Sequence, residues 1–257
     1  MLVGERRRRI VDILHTNERA QVDELAVELG VSESTIRRDL QLLSRRGVVV
    51  RTHGGVLPPS RFEPTFREKE TEHPAQKKAI ARAAARLVEA GQTVFLDAGT
   101  STLELARLLR GRTDVTIATN SVSIAMELAS STNLVLSGGS VKEATLALVG
   151  PLAERAIEQM HPDIAFIGMN GVSVEAGFTT PTWEEAATKS RMIQAARVAV
   201  VLADNSKLGA VTFAHVARLD EVQVLITDDQ ASSDEVARLR ESGLEVQLAL
   251  IEAQAVA

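Results

Sequence analysis

The chain has 257 residues, of which 45% are hydrophobic and 25% are charged, and it contains no cysteine. This length predicts about two domains, and the absence of cysteine excludes disulfides, thiolate metal sites and cysteine nucleophiles. No apolar run approaches the ~20 residues of a membrane-spanning helix, and polar residues interrupt any signal-peptide core, so we expect a cytoplasmic protein with no membrane partner.

The net charge of −5 is unevenly distributed along the chain. Residues 1–60 carry 10 Lys and Arg against 8 Asp and Glu, whereas the rest carries 19 against 26. Binding to DNA phosphates depends on where the cations lie and not on the whole-chain sum. The distribution therefore allows a basic DNA-binding head on an acidic body.

The first 57 residues have the pattern of an α+β winged helix-turn-helix. Apolar residues at helical spacing predict helices over about 5–16 and 21–29, and Gly30 can adopt the positive φ of a sharp turn. Ser32 lies at the N-cap position of a third helix. The inward face of that helix carries Ile36, Leu40 and Leu43. A run of valines that ends in Thr-His-Gly-Gly then predicts a β-ribbon, the wing.

Outward-facing side chains of the third helix and the wing form a candidate DNA interface. Arginine can donate two hydrogen bonds to the major-groove acceptors of guanine, and hydroxyls reach phosphates or bases. The candidate DNA-binding residues are Ser34, Thr35, Arg37, Arg38, Gln41, Arg45, Arg46, Arg51 and His53. The alternative is a small helical domain whose arginine face is only solvated.

Residues 24–55, ELAVELGVSESTIRRDLQLLSRRGVVVRTHGG, resemble the head of the DeoR-type family of bacterial sugar-metabolism regulators. In that family a turn similar to Ala-Leu-Gly-Val-Ser precedes Thr-Ile-Arg-Arg-Asp-Leu, and His-Gly-Gly closes the wing. The resemblance assigns recognition-helix contacts to Ser34, Thr35, Arg37 and Arg38, and wing contacts to Arg51 and His53. Asp39 is expected to pair with an arginine or to hold the turn, and not to read a base.

Residues 58–74 are expected to form a linker between a head, 1–57, and a body, 75–257. Four of the seven prolines lie there, and proline lacks an amide donor and disfavours helix at the preceding residue. A short docked piece is expected around Phe62 and Phe66. The alternative is an irregular loop inside a single domain.

Beyond the linker, short apolar runs alternate with helical segments. Helices are predicted over about 75–90, ending at Gly91, and over about 232–242. The runs are rich in Val and Ile, as buried parallel strands are, and they cover 93–97, 115–120, 133–139, 163–168, 197–204, 222–228 and 244–250. Strands separated by helices indicate an α/β domain with an open parallel sheet.

Polar residues follow the ends of these strands, where open α/β sheets bind ligands. Asp97 ends the first run, and Gly99 and three hydroxyl residues follow at the start of a predicted helix. Free amides and the helix dipole favour an anion at such a position, and Lys207 offers a counter-charge. The pattern therefore predicts a phosphate site, with an ordinary hydroxyl-rich helix cap as the alternative.

These segments also resemble the effector domain of the same family, which belongs to the ribose-5-phosphate isomerase and CoA-transferase-like group of folds. The resemblance covers about residues 6–230 and implies a phosphorylated sugar or polyol as effector. It implies that the effector is held by Asp97, Gly99, Thr100, Ser101, Thr102, Asn120, Gly138, Gly139 and Lys207. The family's common pattern has threonine where Ser101 stands, which is a chemically mild difference. It often has histidine where Asn205 stands, and this difference is expected to alter which sugar hydroxyls are read.

A rival interpretation is a sugar-phosphate isomerase with an appended DNA-binding domain, in which Asp97, Asp204 and Lys207 supply acid–base groups. The isomerases that the chain resembles carry a denser acidic motif in a loop where this chain has GMNGVS (168–173). No nucleophile elbow, phosphate loop or zinc helix is present, and the five histidines lack metal-ligand spacing. We therefore expect no enzyme, no catalytic residue, no cofactor and no metal.

The expected protein is a transcriptional regulator, in the first place a repressor of carbohydrate catabolism. It would bind double-stranded operator DNA as a homo-oligomer, either a dimer or a tetramer, and release it when a phosphorylated sugar or polyol binds. An RNA-binding role is disfavoured, because six Phe, one Trp and no Tyr leave few side chains for base stacking.

Overall fold

The computed structural model describes residues 3–17, 20–45, 49–51, 55–57, 65–130 and 132–252. Its amino-terminal part consists of α1 (Val3–Asn17), β1 (Ala20–Gln21), α2 (Val22–Leu29), α3 (Glu33–Arg45), β2 (Val50–Arg51) and β3 (Gly55–Leu57). The strand β3 lies in the middle of a small antiparallel sheet and pairs with both β1 and β2. Three helices followed by this ribbon confirm the predicted winged helix-turn-helix.

The three helices pack around one apolar core. Its most deeply buried large side chains come from each helix in turn and are Ile10, Leu14, Leu25, Ile36 and Leu40. Between α2 and α3 the chain turns at Gly30, whose φ of 63° lies in the left-handed region that glycine adopts without strain. The predicted turn between the two helices of the motif is therefore confirmed.

The first helix after the amino-terminal part is α4 (Phe66–Thr71). Phe66 is buried in the apolar core of the carboxyl-terminal part, and its amide donates to the carbonyl of Ala144 at 2.7 Å. The docked piece predicted around Phe66 is thus confirmed, whereas Phe62 lies outside the described residues. The domain boundaries at 57 and 75 stay a prediction.

The carboxyl-terminal part is an α/β domain. Its helices are α5 (Pro74–Ala85), α6 (Thr100–Leu109), α7 (Val122–Leu128), α8 (Pro151–Glu158), α9 (Trp183–Ala195) and α10 (Ser233–Glu241). Its strands are β4 (Thr93–Leu96), β5 (Thr116–Thr119), β6 (Asn133–Leu136), β7 (Ser140–Lys142), β8 (Ala147–Val149), β9 (Ile164–Gly168), β10 (Gly171–Ser173), β11 (Gly177–Thr180), β12 (Val198–Leu202), β13 (Ala214–Ala217), β14 (Val224–Asp228) and β15 (Glu245–Ala249). Within the described part of the chain, no helix is both long and apolar enough to cross a membrane.

Seven of these strands form one sheet in the order β15-β14-β12-β9-β4-β5-β6, and every neighbouring pair is parallel. Each of the seven predicted runs supplies one of these strands. The predicted open parallel sheet is therefore confirmed.

Both faces of the sheet are covered, which explains why the strands are continuously apolar. Phe95 and Ile167 pack in one apolar cluster. Their neighbours along the same strands, Leu96 and Phe166, pack in a second cluster. Since successive side chains of a strand point to opposite faces, the two clusters lie on either side of the sheet.

The structure corrects three details of the prediction. The strand predicted over 133–139 ends at Leu136, because Gly138 and Gly139 have φ values of 73° and 120°. The segment 168–173, expected as a loop, contains the strand β10, which pairs with β11 in a separate antiparallel sheet β10-β11-β13. The helix predicted to reach residue 90 ends earlier, at Ala85.

The order of the strands reverses at β4, since β5 and β6 lie on one side of it and β9 on the other. Ligands of open α/β sheets bind outside the carboxyl ends of the strands at such a switch point. The residues that follow β4 and β9, at Asp97 and Gly168, therefore occupy the position where a ligand is expected.

Candidate DNA interface and ligand cavity

One face of α3 is available to DNA and the opposite face is buried. Ile36, Leu40 and Leu43 lie in the core of the head. Among the predicted contacts, Thr35 is half-buried and the exposed ones are Ser34, Arg37, Arg38 and Gln41. The structure thus places these five predicted residues together along one helix, on the side that the head core leaves open.

The start of α3 is organised by Ser32. Its Oγ accepts a hydrogen bond from the amide of Thr35 at 3.4 Å and lies 2.9 Å from Oγ of Ser34. Near this end, Nη2 of Arg37 lies 2.8 Å from Oε2 of Glu33, but both side chains are more than half exposed. An exposed pair of this kind is worth ~1 kcal/mol or less, so it does not withhold Arg37 from DNA.

Asp39 faces away from this surface. It is 2% exposed, and its two carboxylate oxygens accept from Nε of Arg6 at 2.6 Å and from Nε of Arg7 at 2.7 Å. The expectation that Asp39 pairs with an arginine is confirmed. The carboxylate ties α1 to α3 and lies away from the outer face of α3.

The remaining predicted DNA contacts fall where the structure gives no side chains. Arg45 ends α3 and Arg51 lies in β2, but their side chains are outside the described part of the structure. Arg46 and His53 lie outside the described residues altogether. All four stay predictions.

A cavity of about 130 Å³ lies at the switch point of the large sheet. Its walls come from the segments that follow three neighbouring strands, β4, β9 and β12, and from α4, α5 and α9. The lining residues are Phe66, Lys69, Glu72, Lys77, Ala98, Gly99, Thr100, Ser101, Thr145, Gly168, Met169, Asn170, Glu185, Lys189, Leu202, Ala203, Asp204 and Lys207. Four of these are lysines from four different segments.

The start of α6 forms one wall of the cavity through Gly99, Thr100 and Ser101. The first amides of a helix have no acceptor within the helix and carry the positive end of its dipole. Thr102, one residue further, is fully buried, and its hydroxyl donates to the carbonyls of Asp97 at 2.6 Å and Gly99 at 2.9 Å. Thr102 therefore shapes the start of the helix without lining the cavity.

Asp97 lies behind the cavity wall in a buried ion pair with Lys189. Nζ of Lys189 donates to Oδ2 of Asp97 and, at 3.0 Å, to the carbonyl of Gly168, whose amide donates to the same Oδ2 at 3.1 Å. Burial raises the pKa of Asp97, and the ammonium of Lys189 opposes that rise. The pair positions the ammonium of Lys189, which lines the cavity, between β4 and β9.

A second carboxylate, Glu185, lies one helical turn before Lys189 and also lines the cavity. Its Oε2 accepts from Nζ of Lys142 at 2.7 Å and from the hydroxyl of Thr182 at 3.2 Å. Burial raises its pKa, but the charges of Lys189 and Lys142 outweigh burial and lower the pKa to about 2. Glu185 is therefore ionised at neutral pH.

The segment after β12 contributes Asp204 and Lys207. Oδ1 of Asp204 accepts from the amide of Ser206 at 3.0 Å and also from its hydroxyl. Although burial raises the pKa of Asp204, the charge of Lys207 and the bonds from Ser206 lower it overall. Nδ2 of Asn205 donates to Oδ1 of Asp228 at 2.8 Å. Asn205 therefore joins the segment after β12 to the end of β14, and it does not line the cavity.

The predicted ligand-binding residues divide into two groups. Gly99, Thr100, Ser101 and Lys207 line the cavity. The other five do not line it and are Asp97, Thr102, Asn120, Gly138 and Gly139. Oδ1 of Asn120 accepts from the amide of Ala98 at 2.8 Å, so it supports the loop that forms the wall.

Five charged lining residues were absent from the prediction. They are Lys69, Glu72, Lys77, Glu185 and Lys189. Two of them carried a signal in the sequence, because Glu185 and Lys189 are four residues apart and so lie on one face of a helix. Lys69 and Lys77 lie beside or within the proline-rich stretch, where nothing in the local pattern indicates a ligand site.

Residues 6–62 match the sequence model of the DeoR-like helix-turn-helix domain, and residues 72–229 match the DeoR C terminal sensor domain. The HTH-type transcriptional regulator GlpR of Haloferax volcanii is 40% identical over 96% of this chain and 98% of its own length. The HTH-type transcriptional repressor GlcR of Bacillus subtilis is 34% identical over 89% of each chain. The ribose 5-phosphate isomerase A of Methanocaldococcus jannaschii aligns at 21% identity over 52% of this chain and 53% of its own, with a TM-score of 0.39.

Proposed function

The chain belongs to the DeoR family of DNA-binding transcriptional regulators, and from this we propose that it represses a carbohydrate-catabolism operon. A phosphorylated sugar or polyol that binds in the cavity would release it from operator DNA. The observation that carries the proposal is the cavity itself, where the start of α6 meets Lys189 and Lys207 at the switch point of the sheet.

On DNA, the head would insert α3 into the major groove. Arg37 and Arg38 would donate to base edges or phosphates, while Ser34, Thr35 and Gln41 reach nearby groups. The burial of Asp39 under Arg6 and Arg7 supports this orientation, because it removes the one carboxylate in the middle of α3 from the vicinity of the DNA phosphates. Arg45 at the end of α3, Arg46 after it, and the wing residues Arg51 and His53 would contact the sugar–phosphate backbone.

In the cavity, the phosphate would lie between the start of α6 and the ammonium of Lys207. Gly99, Thr100 and Ser101 offer amides and hydroxyls, and Lys207 and Lys189 offer charge. The carboxylates of Glu185 and Asp204 and the amide of Asn170, which also line the cavity, would accept from or donate to the sugar hydroxyls. Asp97 and Asn120 would act indirectly, by holding Lys189 and the loop at Ala98.

Control of DNA binding requires the effector to bind two arrangements of the protein with different affinities, with a coupling of typically ~1–3 kcal/mol. We propose that the two arrangements differ in the relative position of two heads in a dimer or tetramer. This oligomer would act in the cytoplasm and bind an operator with two-fold symmetry. Half-sites about one helical turn apart, roughly 34 Å, fit such a dimer.

A thermal-shift panel of phosphorylated sugars and polyols tests the proposal, with every hit repeated in a DNA-retention assay. A compound that raises the melting temperature and releases operator DNA supports it. If no compound of the panel changes either quantity, the proposed effector class is wrong. A hit that is converted to an isomer during the assay would support the enzyme instead. The enzyme would need Asp97 and Asp204 as acid–base groups, but Asp97 already accepts from Lys189 and Asp204 from Ser206.

A further inference from the structure

The strand β6 forms one of the two edges of the seven-stranded sheet. It pairs in parallel with β5 from Asn133 to Leu136, and no other described strand pairs with it. An edge strand presents a row of backbone N–H and C=O groups without partners, and proteins protect such edges with charged side chains, proline or a covering element. The free side of β6 therefore needs either such protection or a partner strand.

The sequence of β6 provides none of the usual protection. From Asn133 to Val141 the chain has no charged residue and no proline. The side chains of Val135 and Leu136 lie on opposite faces of the strand, and yet they are 43% and 46% exposed. At the other edge of the same sheet, β15 begins with Glu245, and Glu252 follows its end. The two edges differ in character, and β6 is the uncharged one.

The direction of the backbone groups of β6 follows from one hydrogen bond. The amide of Ser137, just after the strand, donates to the carbonyl of Thr119 in β5 at 2.9 Å. Because backbone groups alternate in direction along a strand, those of Val135 also point to β5, whereas those of Leu134 and Leu136 point away from it. Leu134 and Leu136 thus place two N–H and two C=O groups on the free edge.

These four backbone groups are spaced so that a second copy of the strand can satisfy all of them. In an antiparallel pair with a two-fold axis through Val135, Leu134 lies opposite Leu136 of the second copy, and the two residues exchange both hydrogen bonds. The same exchange repeats on the other side of the axis. Val135 then lies opposite its own copy in a non-hydrogen-bonded pair, with Cα atoms ~4.5 Å apart.

Charge favours a second copy as the occupant of this edge. A two-fold pairing places a segment against itself, so a charged side chain near the axis would face a like charge, which is destabilising. The uncharged stretch from Asn133 to Val141 avoids this repulsion. An isologous contact of this kind closes as a dimer and does not continue into a fibre.

Exposed apolar side chains continue the surface beyond β6 itself. A specific interface buries roughly 800 Å² on each partner, which is more than four strand residues provide. Val141 of β7 and Leu152 of α8 are both exposed. Leu152 precedes Ala153, and a Cβ atom on Gly139 would lie only 2.8 Å from Cβ of Ala153, so the start of α8 lies close to the end of β6.

We propose that β6 pairs with β6 of a second copy of this chain about a two-fold axis through Val135. The pairing joins two seven-stranded sheets into one continuous sheet and leaves both ligand cavities outside the contact. Its consequence for DNA rests on the proposed function, because it names the surface that holds together the dimer on a two-fold operator. The pairing itself rests only on the geometry and sequence of β6.

The first experiment compares Val135→Lys with Leu248→Lys in the full-length chain by sedimentation velocity at several protein concentrations. Leu248 is a matched control, because it lies in β15 at the other edge of the sheet and is 44% exposed. Two lysines at the axis would face each other, so we expect Val135→Lys to raise the dissociation constant of this contact at least about 100-fold. A dimer would become a monomer, or a tetramer a dimer, whereas Leu248→Lys should assemble as wild type does.

The second experiment tests the register and does not depend on the lysine variant being folded. The chain has no cysteine, so a single introduced cysteine can pair only with its own copy. At Val135 the two Cα atoms would be ~4.5 Å apart, within the range of ~4.4–6.8 Å for a disulfide. At Leu136 the two copies would be offset by two residues and roughly 7–8 Å apart. We expect mild oxidation to link Val135→Cys into covalent dimers and to leave Leu136→Cys largely unlinked.

The outcomes separate this inference from the proposed function. If the wild type is a monomer at every concentration, or if folded Val135→Lys assembles as tightly as wild type, the pairing of β6 is overturned. Covalent dimers of Leu136→Cys without those of Val135→Cys overturn the axis through Val135. Melting curves and far-ultraviolet circular dichroism establish which variants are folded.

Effector and operator titrations of the same variants complete the separation. The effector probes are ribose 5-phosphate, glucose 6-phosphate, fructose 1-phosphate and glycerol 3-phosphate. If β6 pairs as proposed but none of these compounds binds, the proposed effector class fails while this inference stands. If Val135→Lys binds the active compound as wild type does but binds the two-half-site operator at least about tenfold more weakly, both proposals are supported. Wild-type operator binding by a dissociated Val135→Lys overturns the role of this contact on DNA.

Discussion

Arg37 and Arg38 project from the face of α3 that the head core leaves open, so their removal should change DNA contacts and not folding. We expect Arg38→Ala to weaken operator binding about tenfold or more, since a two-bond contact to a base is worth ~1–3 kcal/mol. Fluorescence anisotropy with labelled operator measures the effect. Arg197→Ala serves as the control, because Arg197 lies in the body and its side chain is 79% exposed. Wild-type binding by both Arg37→Ala and Arg38→Ala would contradict the assignment of the recognition helix.

Glu185 should make stability depend on pH. Its pKa in the folded chain, about 2, lies below the ordinary value of 4.5, so its ionised form stabilises the fold above pH 4.5, and this contribution is lost as the pH falls toward 2. We expect Glu185→Gln to be less stable than wild type at pH 7, and the difference to shrink between pH 4.5 and pH 2. Urea unfolding at several pH values measures it.

The control for this pH experiment is Glu89→Gln, because Glu89 is exposed. That variant should differ little from wild type at any pH. A constant difference between Glu185→Gln and wild type from pH 7 to pH 2.5 would mean that the charges of Lys142 and Lys189 do not stabilise the carboxylate.

At the scale of elements, the head depends on one carboxylate that joins two helices. Asp39 of α3 is buried and accepts from Arg6 and Arg7 of α1. We expect Asp39→Ala to destabilise the head by about 3–5 kcal/mol, because it leaves the largely buried guanidinium of Arg6 without its counter-charge. Faster hydrogen exchange in α1 and α3 measures this loss.

The exposed pair between Glu33 and Arg37 offers the comparison. Glu33→Ala breaks an arginine–carboxylate pair in the same helix, and it should cost ~1 kcal/mol or less because solvent screens both charges. If the two variants exchange equally fast, the buried pair does not hold α1 to α3.

The sequence predicts a strand where the apolar pattern of the segment itself indicates one. The seven strands of the large sheet are buried on both faces and are therefore continuous apolar runs. The strands β7, β8, β10 and β11 lie in small antiparallel sheets outside the large one, and their pairing depends on partners that no pattern of the segment itself specifies. For this reason the sequence predicts a loop where the structure has β10.

At the scale of the whole molecule, the proposed control predicts a reciprocal effect. If the effector lowers operator affinity by some factor, operator DNA must lower effector affinity by the same factor, about 5–150-fold for a typical coupling. Calorimetric titration of the active phosphosugar into the free protein and into its operator complex measures the second factor.

A non-cognate duplex of equal length is the control for non-specific DNA binding. Equal effector affinity with and without operator would contradict an allosteric repressor, even if α3 and the cavity are assigned correctly.

The winged head, the open parallel sheet and one wall of the cavity follow from the amino-acid sequence alone, because each depends on residues close together in the chain. Gly99, Thr100 and Ser101 are consecutive, and a strand end followed by a helix start predicts an anion site wherever it occurs. The inward and outward faces of α3 likewise follow from helical periodicity alone.

The rest of the cavity depends on contacts between segments that are far apart in the chain. Lys189 meets Asp97 across 92 positions of the chain, and Glu185 meets Lys142 across 43. Such pairs form because the sheet brings β4 beside β9 and places α9 over their carboxyl ends, and no local pattern encodes that juxtaposition. The same packing moved Asn120, Gly138 and Gly139 out of the predicted lining and brought Lys69 of α4 into it.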